Sequence, residues 1–184
     1  MATTIEQISE FLESEDLHFE VDENLIRTGF KTDNYRDPDG DEGVRIVIAL
    51  EENGEFIKIV APTVYKYPDG PHKAVLFQLL LMISWQTKML QYEYDVMDGE
   101  VRAIIEFPLE DADLTKTQLM RCLRWIAKAT DDHHGDVVAA MTKGELPKRE
   151  ESEEEDMAHL WDEFQQFLQQ KRQQKGGDGH GLPS

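Results

Sequence analysis

Apolar residues recur at helical spacing at Ile5, Ile8, Phe11 and Leu12, predicting an opening helix with one buried stripe. Thr4 with Gln7 fits a capping box at its start, and Thr3 with Glu6 fits equally well. From Phe19 to Phe30 the alternation is weak and reads as one short strand. Thr32 to Gly43 is a loop, because Asp37-Pro38 and Asp39-Gly40 carry turn chemistry. Val44, Ile46, Ile48 and Leu50 then point one way while Arg45 and Glu51 point the other, the pattern of a half-buried strand. Asn53-Gly54 signals a type I′ hairpin, since both central residues need φ > 0. The return strand runs from Phe56 to about Val64, with Pro62 marking an edge position, a bend or a bulge.

Pro68-Asp69-Gly70-Pro71 breaks the chain and opens a helix from about His72 to Gln91. Its middle turns are apolar nearly all round: Val75, Leu76, Phe77, Leu79, Leu80, Leu81, Met82 and Ile83. Such a helix needs cover on more than one side, from its own domain on one and a partner subunit on the other. A second hairpin follows, Tyr92 to Met97 and Val101 to Pro108 around Asp98-Gly99. Thr115 with Gln118 caps the next helix, and Leu114 with Leu119 staples it. Leu119, Leu123, Ile126 and Ala127 give that helix its buried face, and it breaks near Gly135 before resuming through Val137 to Met141. Trp85 and Trp125 fall within these helices and read as packing residues.

The pattern changes at Lys143. Residues 1–142 read as one domain, 143–156 as an acidic linker, 157–172 as an amphipathic helix and 173–184 as a disordered tail. The separate helix carries Met157, Leu160, Trp161, Phe164, Phe167 and Leu168, an apolar face too rich for a free solvated helix. It either docks on its own domain or a dimer mate, or recognises another protein helix-in-groove. No internal repeat is present.

Charge narrows the partners. The 184 residues hold 38 acidic and 19 basic side chains, a formal net charge of −19. Without a concentrated basic patch, and none is evident in the sequence, phosphate backbones and anionic membrane surfaces are repelled. The acidic residues occur throughout, with concentrations at 37–42, 51–55 and 150–156. This whole-surface charge keeps an exposed apolar groove soluble and favours basic or apolar segments of a protein partner. No membrane-spanning run and no signal peptide is evident. Cys122 is the single cysteine, which excludes an internal disulfide and a cysteine-based zinc site and fits a reducing cytosol.

Candidate chemistry is sparse. Asp37, Asp39, Asp41 and Glu42 crowd one loop, but counting five residues back from Gly40 reaches Tyr35 and from Gly43 reaches Pro38, so the EF-hand register fails. Asp131, Asp132, His133, His134 and Asp136 form the densest set of ligand types, yet adjacent histidines diverge by about 100° on a helix. Glu155, His159 and Glu163 share a face at i, i+4 spacing, which ion pairing explains. Cys122 beside Leu119 and Leu123 reads as a small buried hydrophobe. No dinucleotide, phosphate-loop, zincin or nucleophile-elbow motif occurs, so no cofactor, metal or catalytic residue is assigned.

Three segments resemble the YbjN-domain family, often labelled bacterial sensory transduction regulators, which shares its architecture with the type III secretion chaperones. They are VRIVIALEENGEFIKIVAPTVYKYPD, the apolar KAVLFQLLLMISWQTKM, and YEYDVMDGEVRAIIEFPLEDADLTKTQLMRCLRWIAKATDD. The resemblance implies an α+β fold, an antiparallel sheet packed against helices in the order helix–strands–helix–hairpin–helix, with the 157–172 helix as an addition. It also implies dimerisation and no catalytic residues. The reading is a non-enzymatic protein-binding module, chaperone-like or regulatory, working as a cytoplasmic homodimer. A dedicated type III secretion chaperone for one client is the alternative, and a metal-binding protein or hydrolase is a third reading. The binding surface would be the sheet face opposite the helices or a groove beside the apolar helix.

Overall fold

The computed structural model describes residues 2–110 and 112–148. The linker beyond Pro147–Lys148, the 157–172 helix with Met157, Leu160, Trp161, Phe164, Phe167 and Leu168, the Glu155–His159–Glu163 face and the tail all lie outside the described residues. The first compact unit runs Met1–Leu146.

The chain forms α1 (Ile5–Glu13), β1 (Phe19–Asp22), β2 (Leu25–Phe30), β3 (Val44–Glu51), β4 (Phe56–Lys66), α2 (Lys73–Gln86), β5 (Gln91–Tyr94), β6 (Glu100–Pro108), α3 (Lys116–Asp132) and α4 (His134–Lys143). The strands make one sheet in the order β1-β2-β3-β4-β6-β5, every neighbouring pair antiparallel. Fold class is α+β, as the sequence reading has it.

Strand alternation decides which face of the sheet meets the helices. Ile26, Ile48, Ile59 and Ile105 pair in one row across four strands, and each is at most 1% exposed. They pack in one core cluster with Ile8 and Leu12 of α1, Leu76 and Leu79 of α2, Leu119, Leu123 and Ile126 of α3, and Val137 of α4. The opposite face carries the intervening row Arg27, Val47, Val60 and Ile104.

Local chemistry sets the boundaries. Thr4 is the N-cap of α1 and accepts from the Gln7 N–H at 3.2 Å. The Thr3 hydroxyl turns inward and accepts from the Leu114 N–H at 3.0 Å, so of the two possible caps only Thr4 is used. Thr115 and Gln118 form the full capping box of α3. Gly144, left-handed at φ 70°, ends α4. Pro62 lies in a central strand, where a proline cannot donate to the ladder, and the strand bulges there. The Glu100 carboxylate repairs the gap by accepting from the Thr63 N–H at 2.8 Å and the Thr63 hydroxyl at 3.0 Å.

Three elements differ from expectation. Helix α2, read as reaching Gln91, ends at Gln86, where Thr87 turns extended, and Gln91 opens β5. The stretch Phe19–Phe30 is a hairpin of two strands, because Glu23 at φ 52° makes a tight turn without glycine. The Asn53-Gly54 turn is longer than type I′: Glu51 pairs with Phe56, and a single 3-10 turn, Glu52–Gly54, fills the loop.

Candidate protein-interaction surface

Helix α2 is the most apolar element, and no acidic residue occurs from Gly70 to Tyr92. Its N-terminus is held by Tyr67, whose hydroxyl accepts from the His72 N–H at 3.2 Å. The Lys73 ammonium lies 4.6 Å from the Tyr94 ring centre, and Tyr94 packs edge-on to Phe77 at 4.8 Å. At the other end the Thr87 hydroxyl donates to the Ile83 carbonyl at 2.7 Å. Leu76, Leu79, Leu80 and Ile83 face inward and are buried. Ala74, Gln78, Leu81 and Trp85 recur at spacings of four, three and four on the opposite side and are exposed.

Leu81 is 71% exposed and Trp85 84%, with Met89 half exposed just beyond the helix. This corrects the reading of Trp85 as a packing residue. Trp125 is also surface-accessible at 36%. A uniformly apolar helix gives no sign of which side faces out; the sheet and α4 occupy one side only. A second exposed apolar pair, Val96 and Met97, sits at the tip of the β5–β6 hairpin. Exposed singles are ordinary, but a large aromatic and a leucine one turn apart on an uncharged helix face are not.

The sheet face opposite the helices has a different character. Cross-strand ion pairs cover it: Lys58–Glu106 at 3.4 Å, Arg102–Glu93 at 2.6 Å and Arg27–Asp22 at 2.9 Å, with Arg45 paired to Asp37. An open groove of about 840 Å³ crosses it beside Arg27, Arg45, Val47, Pro62 and Lys66. Its charges are largely satisfied among themselves, which suits a solvated face.

The residues singled out for metal chemistry are engaged in structure. Asp37 accepts from the N–H groups of Asp39 and Asp41 at 3.0 and 2.9 Å and from Arg45, closing its own loop. Asp131, at the end of α3, accepts from the N–H groups of Asn34 and Tyr35, both at 2.8 Å, and of Asp33 at 3.4 Å. Burial alone would raise the Asp131 carboxyl, but these donors and nearby His134 bring it below the usual carboxylate range. Asp132 pairs with Lys128 at 2.6 Å. His133 is the joint between α3 and α4, while His134 stacks on Tyr65 at 6.0 Å and meets the edge of Tyr35 at 5.2 Å. Burial lowers the His134 pKa, against the pull of Asp131. Among the described residues no group of three or more His, Cys, Asp or Glu side chains could hold a metal ion. Cys122 is buried, and burial raises its thiol pKa.

Nothing in the residue pattern singled out Asp131 as a clasp, because its partners lie almost a hundred positions earlier. In linear order the sequence shows no concentrated basic patch, yet α3 presents Lys116, Arg121, Arg124 and Lys128 from its solvent side.

No family model matches the sequence, and no curated protein matches it. Solved structures similar in fold include the following three. YbjN from E. coli has a TM-score of 0.49 at 10% identity, covering 71% of this chain and 90% of that one. The HopA1–SchA chaperone–effector complex gives 0.43 at 15% identity, covering 66% and 84%. An uncharacterized protein from Methanothermobacter thermautotrophicus gives 0.40 at 16%, covering 74% and 97%. Among the described residues no helix is long and apolar enough to cross a membrane.

Proposed function

We propose that this chain is a non-enzymatic protein-binding module, chaperone-like or regulatory, that works in the cytoplasm as a homodimer. The observation that carries the reading is the exposed, acid-free face of α2, with Leu81 and Trp85 at its centre. In a molecule of net charge −19, two copies repel over most of their surface. The α2 face is where they approach at least electrostatic cost. Covering a Leu or Trp side chain contributes roughly 1.5–3 kcal/mol each, so a reciprocal pair on both copies supplies a useful share of a dimer contact.

A second surface belongs to the C-terminal segment. Met157, Leu160, Trp161, Phe164, Phe167 and Leu168 form the recognition face for the partner or client, whose matching segment is basic or apolar.

Sedimentation equilibrium on the full chain tests the first part. Wild type sediments as a dimer, and Leu81→Glu with Trp85→Glu sediments as a folded monomer. A wild-type monomer, or a double variant that still dimerises, removes α2 from the interface. Removing residues 152–184 tests the second part. Loss of a stoichiometric co-purifying protein with the dimer intact supports a recognition segment; loss of the dimer assigns that segment to self-association.

A further inference from the structure

One helix, α3, carries basic residues over most of its length with no acidic residue among them. Between Leu114 and Thr130 there are four basic residues and no acidic one, leaving 15 basic residues against all 38 acidic ones elsewhere. The buried side of α3 takes Leu119, Met120, Cys122, Leu123, Ile126 and Ala127. Helical spacing therefore sends Arg121, Arg124, Trp125 and Lys128 to the solvent side together. Trp125 lies one turn after Arg121 and one turn before Lys128. Its partly exposed ring makes an apolar shelf between cations, floored by Met120 at 4% exposure.

A groove of about 380 Å³ runs along this face beside the end of α1, lined by Glu15, Lys116, Arg121, Arg124 and Trp125 among others. One carboxylate already sits at its end. Glu15 bridges Lys116 at 3.1 Å and Arg124 at 2.7 Å. The hydrogen bond from Lys116, with Arg124 adding to it, holds the Glu15 carboxyl below its ordinary range against partial burial. Arg121, further along, has no ion-pair partner among the described residues.

We infer that this face of α3 docks a short acidic, amphipathic peptide segment of a protein partner, with carboxylates on Arg121 and its neighbours and an apolar side chain on the Trp125 shelf. The chemistry of the lining selects that occupant. Guanidinium groups match carboxylates with directional paired hydrogen bonds, and Trp and Arg are among the residue types enriched at binding hot spots. The length of the patch limits the occupant. Lys116 to Lys128 spans about 18 Å along the helix axis. Asp113 lies before it and Asp131 and Asp132 after it. A nucleic acid would carry its phosphates past both ends into this acidic surface, whereas a peptide of two or three turns stays within the patch. The site goes beyond the α2 face and the 157–168 segment, whose partners are basic or apolar.

Fluorescence anisotropy on the full chain tests it, with a labelled synthetic helix-forming peptide of about 11 residues, three turns, with Leu at i, i+4 on one face and Glu on the other. Controls are the same peptide with Lys for every Glu, the peptide with Ala for every Leu, and a labelled single-stranded oligonucleotide. The Glu/Leu peptide saturates, and both Arg121→Glu and Trp125→Ala weaken it about tenfold or more, the weight of a hot-spot contact. Lys66→Glu, a charge change on the sheet groove, leaves it unchanged. Raising salt to about 0.3 M weakens binding, as screening requires. No saturation, an unaffected Arg121→Glu variant, equal binding of the Lys peptide, or an oligonucleotide that binds as tightly would each overturn the assignment. Circular dichroism confirms that the variants are folded, and Arg121→Gln gives a milder version of the same test.

Discussion

Asp131→Ala should release the loop that packs against α3. The wild-type carboxylate accepts two backbone N–H groups at 2.8 Å and a third at 3.4 Å, from residues 33–35. Behind them Tyr35 is 2% exposed, with its hydroxyl donating to the Val64 carbonyl at 2.9 Å. A hydrogen bond to a charged group is worth about 1.5–3 kcal/mol, so the two short ones set a ceiling near 6 kcal/mol. Asn34 is exposed and water replaces part of that loss, which brings the expected cost to about 2–3 kcal/mol. For a chain of this size, that lowers the melting temperature by roughly 5–10 °C. Asp131→Asn keeps one acceptor oxygen without the charge and should fall between.

Urea unfolding followed by far-ultraviolet circular dichroism measures the difference, and its pH dependence identifies the cause. The folded Asp131 carboxyl titrates below its ordinary value. Its contribution is therefore complete above the unfolded carboxyl pKa near 4 and is lost as pH falls through the lower folded value. The gap between wild type and Asp131→Ala should be full at neutral pH and close in acid. A neutral-pH difference below about 0.5 kcal/mol, the size of an ordinary surface substitution, would refute the clasp. So would a gap that stays constant into acid.

His134 should add a second pH window, because its folded pKa is lowered: its contribution is present above the unfolded value near 6.5 and fades as pH falls through the folded one. His134→Gln should flatten stability between neutral pH and pH about 5, checked by the same urea titrations. Tyr35→Phe leaves the buried Val64 carbonyl short of its donor and should cost about 1–2 kcal/mol. Tyr65→Phe should be neutral or stabilising, since the buried Tyr65 hydroxyl has no hydrogen-bond partner among the described residues; thermal melts of the pair distinguish them. Gly99→Ala should destabilise by about 2 kcal/mol or more, because Gly99 sits at φ 78° and a Cβ there would lie 2.1 Å from the Pro68 Cα. A melting temperature unchanged from wild type would contradict that close approach.

What the sequence disclosed follows from the range over which each cause acts. Helix starts were readable because Thr4–Gln7 and Thr115–Gln118 cap within one turn. Strand β3 was readable because only one of its faces meets the core. Strands β1 and β2 merged in the reading because Val21 faces the helix side yet is half exposed, and their turn carries Glu23 in place of a glycine. The Asp131 clasp and the outward face of α2 depend on distant partners, so neither leaves a periodic trace.

The basic face of α3 is a different case, because its residues are adjacent in sequence. A net charge of −19 averages over 184 residues and conceals a segment of opposite sign. Four cations spread over positions 116–128 look unremarkable in linear order, interleaved as they are with Leu119, Cys122 and Ile126. Helical geometry separates them: the apolar set turns to the core, and the cations collect outside around Trp125. The same sorting on α2 collects Leu81 and Trp85 outside, because that segment has no acidic side chain to take their place. The acidic charge thus defines the two candidate contact faces by its absence, and the apolar or basic character of each follows from what the helix turns outward.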